Sequence, residues 1–282
     1  MAQLEKAIAI ITGASAGIGL AAARRLRSLG YGLVLNARRK DRLQELANET
    51  AAAAVVGDIT DPAVRARVVE ACGGRVDLLV NNAGYGEPGP VEMVKEEDYR
   101  RQFDVNVFAA GAMIQAVLPT MRRRRSGRII NISSVAGRFG YPLFGWYCAS
   151  KHALEGMSDA LRLEVAPWGI HVVLIEPGPV ETEFFDVTLK RGGPLLKDET
   201  SPYWPFFRHT AEIERDLMKQ AATPDAVAEV IVRACQASRP RARYAVTRMA
   251  KTTVLLSKIL PRRWLDAALR RQFRVPGPGD VG

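Results

Sequence analysis

Short apolar runs alternate with longer amphipathic segments along most of the chain. The runs KAIAIITG, YGLVLNAR, AAVVGD, VDLLVNNAG, GRIINISS and GIHVVLIEPG are rich in β-branched residues and predict buried strands. The segments between them have the spacing of helices, and RYAV predicts a last short strand. Continuously apolar strands that alternate with helices predict an α/β fold: a single-domain, Rossmann-type, doubly wound parallel sheet with helices on both faces.

Helix boundaries are marked at several places. Asp61 before Pro62 and Thr223 before Pro224 each combine an N-cap residue with proline at the first helical position. Two long helices are predicted over EEDYRRQFDVNVFAAGAMIQAVLPTM and WYCASKHALEGMSDALRLEVA. The pattern fades in an irregular stretch at about 183–210 and again near residue 248. We therefore expect a domain over 1–248, a substrate flap at about 183–210, and a tail over 249–282.

Composition narrows the class of protein. With 48% hydrophobic and 25% charged residues, the 282-residue chain has the composition of a soluble globular protein. Its three scattered cysteines suggest neither a disulfide framework nor a zinc site, and its histidines are isolated, so no metal is expected. The start of the chain lacks signal-peptide features, and no run reaches the roughly 18 apolar residues of a membrane span. These features predict a cytoplasmic protein.

The positive charge is concentrated at the end of the chain. From Arg239 onward there are nine Arg and two Lys against two Asp, a net of +9 out of the total of +10. A nearly neutral body argues against a nucleic-acid partner. The tail combines a mostly apolar helix with basic residues around Trp264, which suits peripheral contact with an anionic membrane surface. Packing of the tail on the flap or on a second subunit is the alternative.

A glycine-rich loop, TGASAGIG, lies between the first strand and the first helix. Its spacing, G-x-x-x-G-x-G, differs from the G-x-G-x-x-G fingerprint, but the physical requirement is similar. Glycines permit a tight turn and close approach of the backbone to a pyrophosphate, whose charge the helix N-terminus stabilises. An ordinary glycine-rich turn is the alternative.

The end of the second strand indicates which nicotinamide cofactor would bind. An acidic residue there would accept the ribose 2′-hydroxyl of NAD, but the sequence reads Asn36, Ala37, Arg38, Arg39. An arginine suits a 2′-phosphate through charge-assisted hydrogen bonds, so NADP(H) is favoured over NAD(H). Alternatively, Arg38 simply begins a solvated helix end.

Three further segments follow strands at the same edge of the predicted sheet, where ligands bind in open α/β folds. Asp58 in GDIT is placed to accept from an adenine amino group, or to cap the next helix. NNAG at 81–84 is placed to line the adenosine side, or to form a turn. PGPVET at 177–182 is placed to meet the nicotinamide carboxamide.

These motifs occur in a familiar order. TGASAGIG, NNAG, Asn106 in FDVNVF, Ser134 in NISSVAG, YCASK and PGPVET follow one another between about residues 5 and 250. The chain therefore resembles the classical short-chain dehydrogenase/reductase family, and YCASKHALEG with LIEPGPVETEF is most similar to its hydroxysteroid and retinol dehydrogenase subgroup. The resemblance implies hydride transfer between NADP(H) and a carbonyl or secondary alcohol, in a homodimer or homotetramer formed through the two long helices.

The resemblance also implies catalytic roles. Tyr147 and Lys151 are four residues apart, hence on one face of a helix, although such a pair alone is close to a chance match. Tyr147 would be the general acid/base, and Lys151 would stabilise its phenolate and hold the nicotinamide ribose. Ser134 would hydrogen-bond the substrate oxygen, and Asn106 would hold a water that relays protons. A buried amide satisfied by the backbone is the alternative for Asn106.

Taken together, the predicted cofactor-binding residues follow the sheet edge. They are Thr12, Gly13, Ser15, Gly17, Ile18, Gly19, Arg38, Asp58, Ile59, Asn82, Ala83, Gly84, Tyr147, Lys151, Pro177, Gly178, Val180 and Thr182.

Two segments are expected to border the substrate: GRFGYPLFGW and the flap. The flap carries six aromatic residues and is too apolar for simple disorder, which predicts a cover over an apolar pocket and a lipophilic substrate. Ser134, Tyr147, Phe184 and Phe185 are the predicted substrate contacts. The aromatic residues alternatively pack the flap on the body or form an oligomer contact. A non-catalytic NADP-binding sensor or scaffold is the alternative function.

Overall fold

The sheet of the computed structural model, which describes residues 6–277 and 279, is entirely parallel. Its strands are β1 (Ile8–Thr12), β2 (Gly32–Ala37), β3 (Ala53–Val56), β4 (Leu78–Asn81), β5 (Gly127–Ile132), β6 (Ile170–Glu176) and β7 (Arg243–Ala245). Their order is β3-β2-β1-β4-β5-β6-β7, so the direction of winding reverses between β1 and β4. Ligands bind at such a reversal, outside the carboxyl ends of the strands. The predicted fold is therefore confirmed. Residues 1–5 of the predicted domain, and residues 278 and 280–282 of the predicted tail, lie outside the described residues.

Helices cover both faces of the sheet. They are α1 (Gly17–Ser28), α2 (Lys40–Thr50), α3 (Pro62–Glu70), α4 (Glu96–Phe103), α5 (Ala109–Arg124), α6 (Gly145–Val165), α7 (Phe184–Arg191), α8 (Trp204–Phe207), α9 (Thr210–Met218), α10 (Pro224–Gln236), α11 (Arg248–Ile259) and α12 (Arg262–Gln272). Helices α1, α2 and α10 bury one apolar cluster against the sheet, and α3, α5 and α6 bury the other.

The two clusters explain why the strands are continuously apolar. Successive side chains of a strand point to opposite faces. Ile10 therefore belongs to one cluster and Ile11 to the other, and both are fully buried. Burial of each such side chain contributes about 1.5–3 kcal/mol.

The predicted helix caps are confirmed. The Asp61 carboxylate accepts the Ala63 N–H at 2.8 Å, and the Thr223 hydroxyl oxygen accepts the Ala226 N–H at 3.2 Å. Each cap satisfies a backbone donor that has no partner within the helix.

The first long helix contains an irregularity that its sequence pattern does not reveal. A π-helical stretch, Asp104–Phe108, joins α4 to α5. Such stretches are rare and often occur at functional sites. The combined segment Glu96–Arg124 is also the one helix among the described residues with the length and apolar character to cross a membrane, although its inner face packs in the sheet core.

The prediction that the stretch at 183–210 is irregular is wrong. This stretch contains α7, α8 and a 3₁₀ turn at Leu195–Lys197. Helices of eight and four residues are too short to give a clear helical period. Tertiary contacts hold them instead: Thr188 on α7 is fully buried, and Phe207 on α8 is almost fully buried.

The tail forms two helices rather than the single predicted one. On α12, Leu265 and Leu269 pack against Phe139 of the segment after β5. Beyond α12, Arg274 forms ion pairs with Glu212 and with Asp216 of α9. These contacts place the described part of the tail on the body, against the segment after β5 and α9, and not on the flap at 183–210 as the sequence analysis considered.

Candidate active site

One cavity of about 530 Å³ opens at the carboxyl ends of the strands. It runs from the ends of β2 and β3, past the glycine loop, to α6 and the flap. The structure brings most of the predicted site residues to its walls. These are Gly13, Ser15, Gly17, Ile18, Arg38, Asp58, Ile59, Asn82, Ala83, Gly84, Ser134, Tyr147, Lys151, Pro177, Gly178, Val180, Thr182, Phe184 and Phe185.

The glycine loop has the shape that a pyrophosphate requires. Gly13 and Gly17 have φ values of +66° and +54°, which side chains disfavour. A Cβ on Gly17 would lie 2.8 Å from Thr182 Cγ2, so Thr182 after β6 leaves no room for a side chain there. Helix α1 begins here, and Ala16 before it has no polar side chain to cap the first-turn N–H groups. Those N–H groups fit an anionic ligand.

Two predicted cofactor residues do not line the cavity. The Thr12 hydroxyl oxygen accepts the N–H groups of Asn82 and Ala83, at 3.0 and 3.1 Å. A Cβ on Gly19 would lie 2.5 Å from the Gly13 carbonyl oxygen. Thr12 and Gly19 therefore shape the glycine loop from behind and join it to the end of β4.

The end of the cavity beside β2 and β3 carries a second arginine in addition to Arg38. Arg39 also lines it and donates from Nε to Ser15 Oγ at 3.2 Å. Glu183 accepts hydrogen bonds from Arg39 and, at 2.5 Å, from Arg42. We name these three side chains the Glu183 clasp. Sequence reasoning missed the clasp because its arginines lie at the start of α2, whereas Glu183 lies in the flap, far along the chain; the basic run ARRKDR was the only signal.

Asp58 lies beside this end of the cavity as a carboxylate with several partners. Its Oδ1 accepts from the Thr60 N–H at 3.0 Å and from the Thr60 hydroxyl at 2.8 Å, and Arg101 pairs with its other oxygen. Burial alone would raise the pKa of Asp58, but these bonds together with Arg101 and Arg38 hold the pKa below its usual value. It does not cap α3, whose N-cap is Asp61.

The first turns of α6 hold Tyr147 and Lys151 in the cavity. Lys151 Nζ lies 5.8 Å from the centroid of the Tyr147 ring and donates to the Ile132 carbonyl at 2.8 Å. Ser134 follows β5 in extended conformation, and its Oγ accepts the Ala136 N–H at 3.1 Å. The end of β5 and the start of α6 thus present the side chains of Ser134, Tyr147 and Lys151 to the same cavity.

Burial dominates the ionisation of this group. It raises the pKa of the Tyr147 phenol well above its usual value, and a hydrogen bond with Ser134 acts in the opposite direction. Burial also lowers the pKa of Lys151 to about 8, against the opposing effect of the Glu155 carboxylate. The neutral phenol is therefore the favoured form of Tyr147 near neutral pH.

Asn106 occupies the centre of the π-helical stretch and is buried one layer behind the cavity. Its amide exchanges hydrogen bonds with the backbone of Tyr85, at 3.1 and 3.0 Å, and donates to Ser150 Oγ at 3.0 Å. A Cβ on Gly84 would lie 3.1 Å from Asn106 Oδ1 and 3.6 Å from Lys151 Nζ, so both side chains border Gly84. The backbone bonds agree with the structural alternative, and the water-holding role stays a prediction.

Aromatic rings line the end of the cavity that contains Tyr147. The rings of Phe184 and Phe144 lie 5.5 and 6.2 Å from that of Tyr147, centroid to centroid. Phe185 meets Phe184 edge-on at 5.7 Å. Phe273, just after α12, also lines the cavity. The sequence analysis did not predict this contact, because Phe273 lies far along the chain from the other cavity residues.

The later aromatic residues of the flap do not line the cavity. Tyr203 stacks near Phe207 and bonds through its hydroxyl to Glu92 on the body. These residues pack the flap on the body, which was the alternative reading for the flap as a whole.

Comparison with known proteins identifies the class. Residues 7–191 match the short chain dehydrogenase family. The chain is 37% identical to human 17-beta-hydroxysteroid dehydrogenase type 1 over 262 residues, covering 86% of this chain and 78% of the relative. It is 35% identical to 3-ketodihydrosphingosine reductase of Bacteroides thetaiotaomicron, covering 95% and 98% of the two chains. It is also 35% identical to NADPH-dependent 3-dehydrocapnine reductase of Ornithobacterium rhinotracheale, covering 94% and 97%.

Solved structures agree. A short-chain dehydrogenase from Streptomyces avermitilis superposes with a TM-score of 0.75 at 30% identity over 98% of both chains. A Brucella melitensis 3-ketoacyl-(acyl-carrier-protein) reductase complexed with NADH has a TM-score of 0.72 at 30% identity, covering 87% of this chain and 98% of that one. An actinorhodin polyketide ketoreductase with NADPH has a TM-score of 0.73 at 30% identity, covering 87% and 97%.

The chain belongs to the short chain dehydrogenase family, as its motifs predicted. It is therefore an oxidoreductase of small molecules with alcohol or carbonyl groups, and its cofactor is a nicotinamide dinucleotide. Solved relatives hold NADH or NADPH, so membership alone leaves the choice between the two open.

Proposed function

We propose that the protein transfers a hydride between NADP(H) and the carbonyl or secondary alcohol of a lipophilic substrate, with Tyr147 as general acid/base. The observation that carries this proposal is the convergence of Ser134, Tyr147 and Lys151 on one aromatic-walled cavity that continues into the glycine loop. When bound, the nicotinamide supplies or accepts the hydride.

In the direction of reduction, Tyr147 donates its phenolic proton to the carbonyl oxygen. The Ser134 hydroxyl hydrogen-bonds the same oxygen and stabilises the charge that develops on it. The Lys151 ammonium then stabilises the phenolate that Tyr147 becomes. The raised pKa of Tyr147 suits this direction because the phenol starts protonated.

The arginines at the end of β2 support NADP(H). Arg38 and Arg39 border the cavity where a ribose 2′-phosphate would lie, and Ser15 adds a hydroxyl. Arginine is the residue best suited to a phosphate, because its planar donors match two oxygens at once. The Ornithobacterium relative is named as NADPH-dependent, which agrees.

The aromatic wall supports a lipophilic substrate. Tyr141, Phe144, Phe184 and Phe273 present rings rather than polar groups around the catalytic hydroxyls. Large apolar rings gain binding free energy from burial of apolar surface. Two relatives are named for a hydroxysteroid and a 3-ketodihydrosphingosine, both lipophilic molecules.

The exposed apolar residues support two further proposals about a cytoplasmic protein. Phe108 and Leu163, on the two long helices, are 62% and 67% exposed, which favours a homodimer or homotetramer through these helices.

On α11, Leu255, Leu256 and Ile259 face outward, which leaves that helix free for peripheral membrane contact. Flotation with anionic liposomes, of intact protein and of a chain ending at Thr247 that lacks α11 and α12, tests the second proposal; equal flotation overturns it.

The function is tested by following NADPH oxidation across a panel of steroid, retinoid, long-chain and small polar carbonyls, with NADH as control. Lipophilic ketones with NADPH are expected to be the best pair. Tyr147→Phe is expected to lose turnover by about 10²-fold or more while it retains NADPH binding. Faster turnover of small polar carbonyls would overturn the lipophilic assignment, and an active Tyr147→Phe variant would overturn the mechanism.

A further inference from the structure

A flap carboxylate lies on the arginines at the adenosine end of the cavity. Glu183 Oε1 accepts from Arg42 Nη1 at 2.5 Å, and its Oε2 accepts from Arg39 Nη1. Glu183 immediately precedes α7, whereas both arginines belong to the segment after β2. The clasp therefore connects the flap to the cofactor half of the protein.

The clasp occupies the place where a 2′-phosphate would need donors. Arg39 reaches back to Ser15 of the glycine loop at 3.2 Å, and Arg39, Ser15 and Glu183 all line the cavity. In folds of this type the adenosine ribose lies between the glycine loop and the end of β2. Carboxylates and phosphates use the same guanidinium donors. The Glu183 carboxylate and a 2′-phosphate thus compete for Arg39, while Arg42, which does not line the cavity, helps to hold the carboxylate on it.

We propose that Glu183 is a cofactor-selectivity residue, which weakens the binding of NADP(H) relative to NAD(H) by occupying Arg39 and Arg42. This inference rests on the proposed binding of NADP(H) in the cavity. NADP(H) must displace the carboxylate to use Arg39. NAD(H) has no phosphate at this position and leaves both ion pairs in place.

The position of Glu183 transmits the displacement to the flap. Thr182 before it lies against Gly17 of the glycine loop, and Phe184 after it lies against the Tyr147 ring. A phosphate that displaces Glu183 therefore moves a residue whose two neighbours are Thr182, a proposed cofactor contact, and Phe184, a proposed substrate contact. Binding of NADP(H), unlike binding of NAD(H), would therefore break the ion pairs that connect the start of α7 to Arg39 and Arg42.

The size of the effect follows from exposure. The Glu183 and Arg39 side chains are 42% and 45% exposed, so solvent screens their attraction. Two such pairs predict a change in affinity of about three- to tenfold.

The experiment measures the dissociation constants of NADPH and NADH from the fluorescence of the bound nicotinamide, without turnover. Glu183→Gln is expected to tighten NADPH binding about three- to tenfold and to leave NADH within about twofold. Adenosine 2′,5′-bisphosphate, which carries the 2′-phosphate without nicotinamide, is expected to follow NADPH. Glu181→Gln removes the same charge from an exposed residue two positions earlier and is expected to change neither constant.

An Arg39→Ala variant separates the inference from the proposed function. If Arg39→Ala weakens NADPH but Glu183→Gln leaves the NADPH to NADH ratio unchanged, the role of Glu183 is overturned and the cofactor assignment stands. If Arg39→Ala leaves NADPH binding unchanged, the proposed phosphate site is itself wrong. A ratio shifted equally by Glu181→Gln and Glu183→Gln would reduce the effect to net charge and also overturn the inference.

Discussion

Phe273, the residue after α12, stacks its ring on that of Tyr141, with the centroids 4.9 Å apart and the planes 9° from parallel. Tyr141 lies in turn beside Phe144, which meets Tyr147, the proposed general acid/base, edge-on. The segment after α12 is thus connected to Tyr147 through a row of rings, and Phe273 forms part of the cavity wall.

Phe273→Ala should therefore act on substrate rather than on cofactor. Loss of one ring from the wall is expected to lower kcat/KM for a bulky lipophilic ketone about tenfold, since a buried aromatic contact is worth roughly 1–2 kcal/mol. Steady-state kinetics with a bulky and a small ketone measure this effect. Trp264→Ala, which removes an exposed ring of the same tail, is the matched control. An equal loss for both ketones would contradict a role in the wall.

Reduction should slow as the pH rises through about 8. Lys151 must carry its proton to stabilise the Tyr147 phenolate, and burial lowers the pKa of Lys151 from 10.5 to about 8. Below that pH the cation is present; above it the cation is lost, although the phenol is still protonated. The pH profile of kcat/KM for carbonyl reduction measures this limb. A profile that stays flat well beyond pH 8 would show that the charge of Lys151 is not required.

Lys151→Met should stabilise the fold while it abolishes activity. The pKa of Lys151 falls from 10.5 to about 8, so its charged form is disfavoured in the folded state. At one unit per 1.36 kcal/mol, the cost of keeping it charged near neutral pH is about 3 kcal/mol. We expect the free energy of unfolding to rise by about 1–3 kcal/mol, because the bond to Ile132 is lost as well.

Urea denaturation measures this difference, with the exposed Lys197→Met as control. The sign can be checked by pH. The unfolded state binds the Lys151 proton more tightly, so the penalty in the natural protein is relieved between about pH 8 and 10.5. The two proteins should therefore converge in stability across that window. Divergence there would contradict the assignment of the penalty to Lys151.

Ser134→Ala should affect both rate and ionisation. Loss of a hydrogen bond to a developing oxyanion costs about 10²–10³-fold in kcat. The hydrogen bond with Ser134 also lowers the pKa of Tyr147, so its removal should move the alkaline rise of alcohol oxidation to higher pH. Ser133→Ala, which removes a neighbouring buried hydroxyl with no partner among the described residues, is the control. Similar losses in both variants would indicate a structural effect only.

The strands, and the placement of Ser134, Tyr147 and Lys151 at one cavity, were predictable because each depends on short sequence motifs. Buried parallel strands must be apolar on both faces, as Ile10 and Ile11 are, and helical spacing places Tyr147 one turn from Lys151. Sequence order then places the ends of β1, β4 and β5 at one edge.

What sequence reasoning missed depends on contacts between distant segments. The π-helical stretch at Asn106 departs from the 3.6-residue period on which helix prediction relies, and its amide is satisfied by Tyr85 of another segment. The short helices of the flap, the contact of Phe273 with Tyr141 and the Glu183 clasp all exist only after the chain has folded back.

The arrangement of the cavity along the chain has a consequence for evolution. Residues up to Thr182 supply the predicted cofactor contacts, whereas the flap and the tail supply much of the proposed substrate wall. The later part can therefore diversify, by drift or by recombination, while the hydride-transfer half is kept. The Glu183 clasp limits such exchange, because any replacement flap needs a residue at position 183 that is compatible with Arg39 and Arg42.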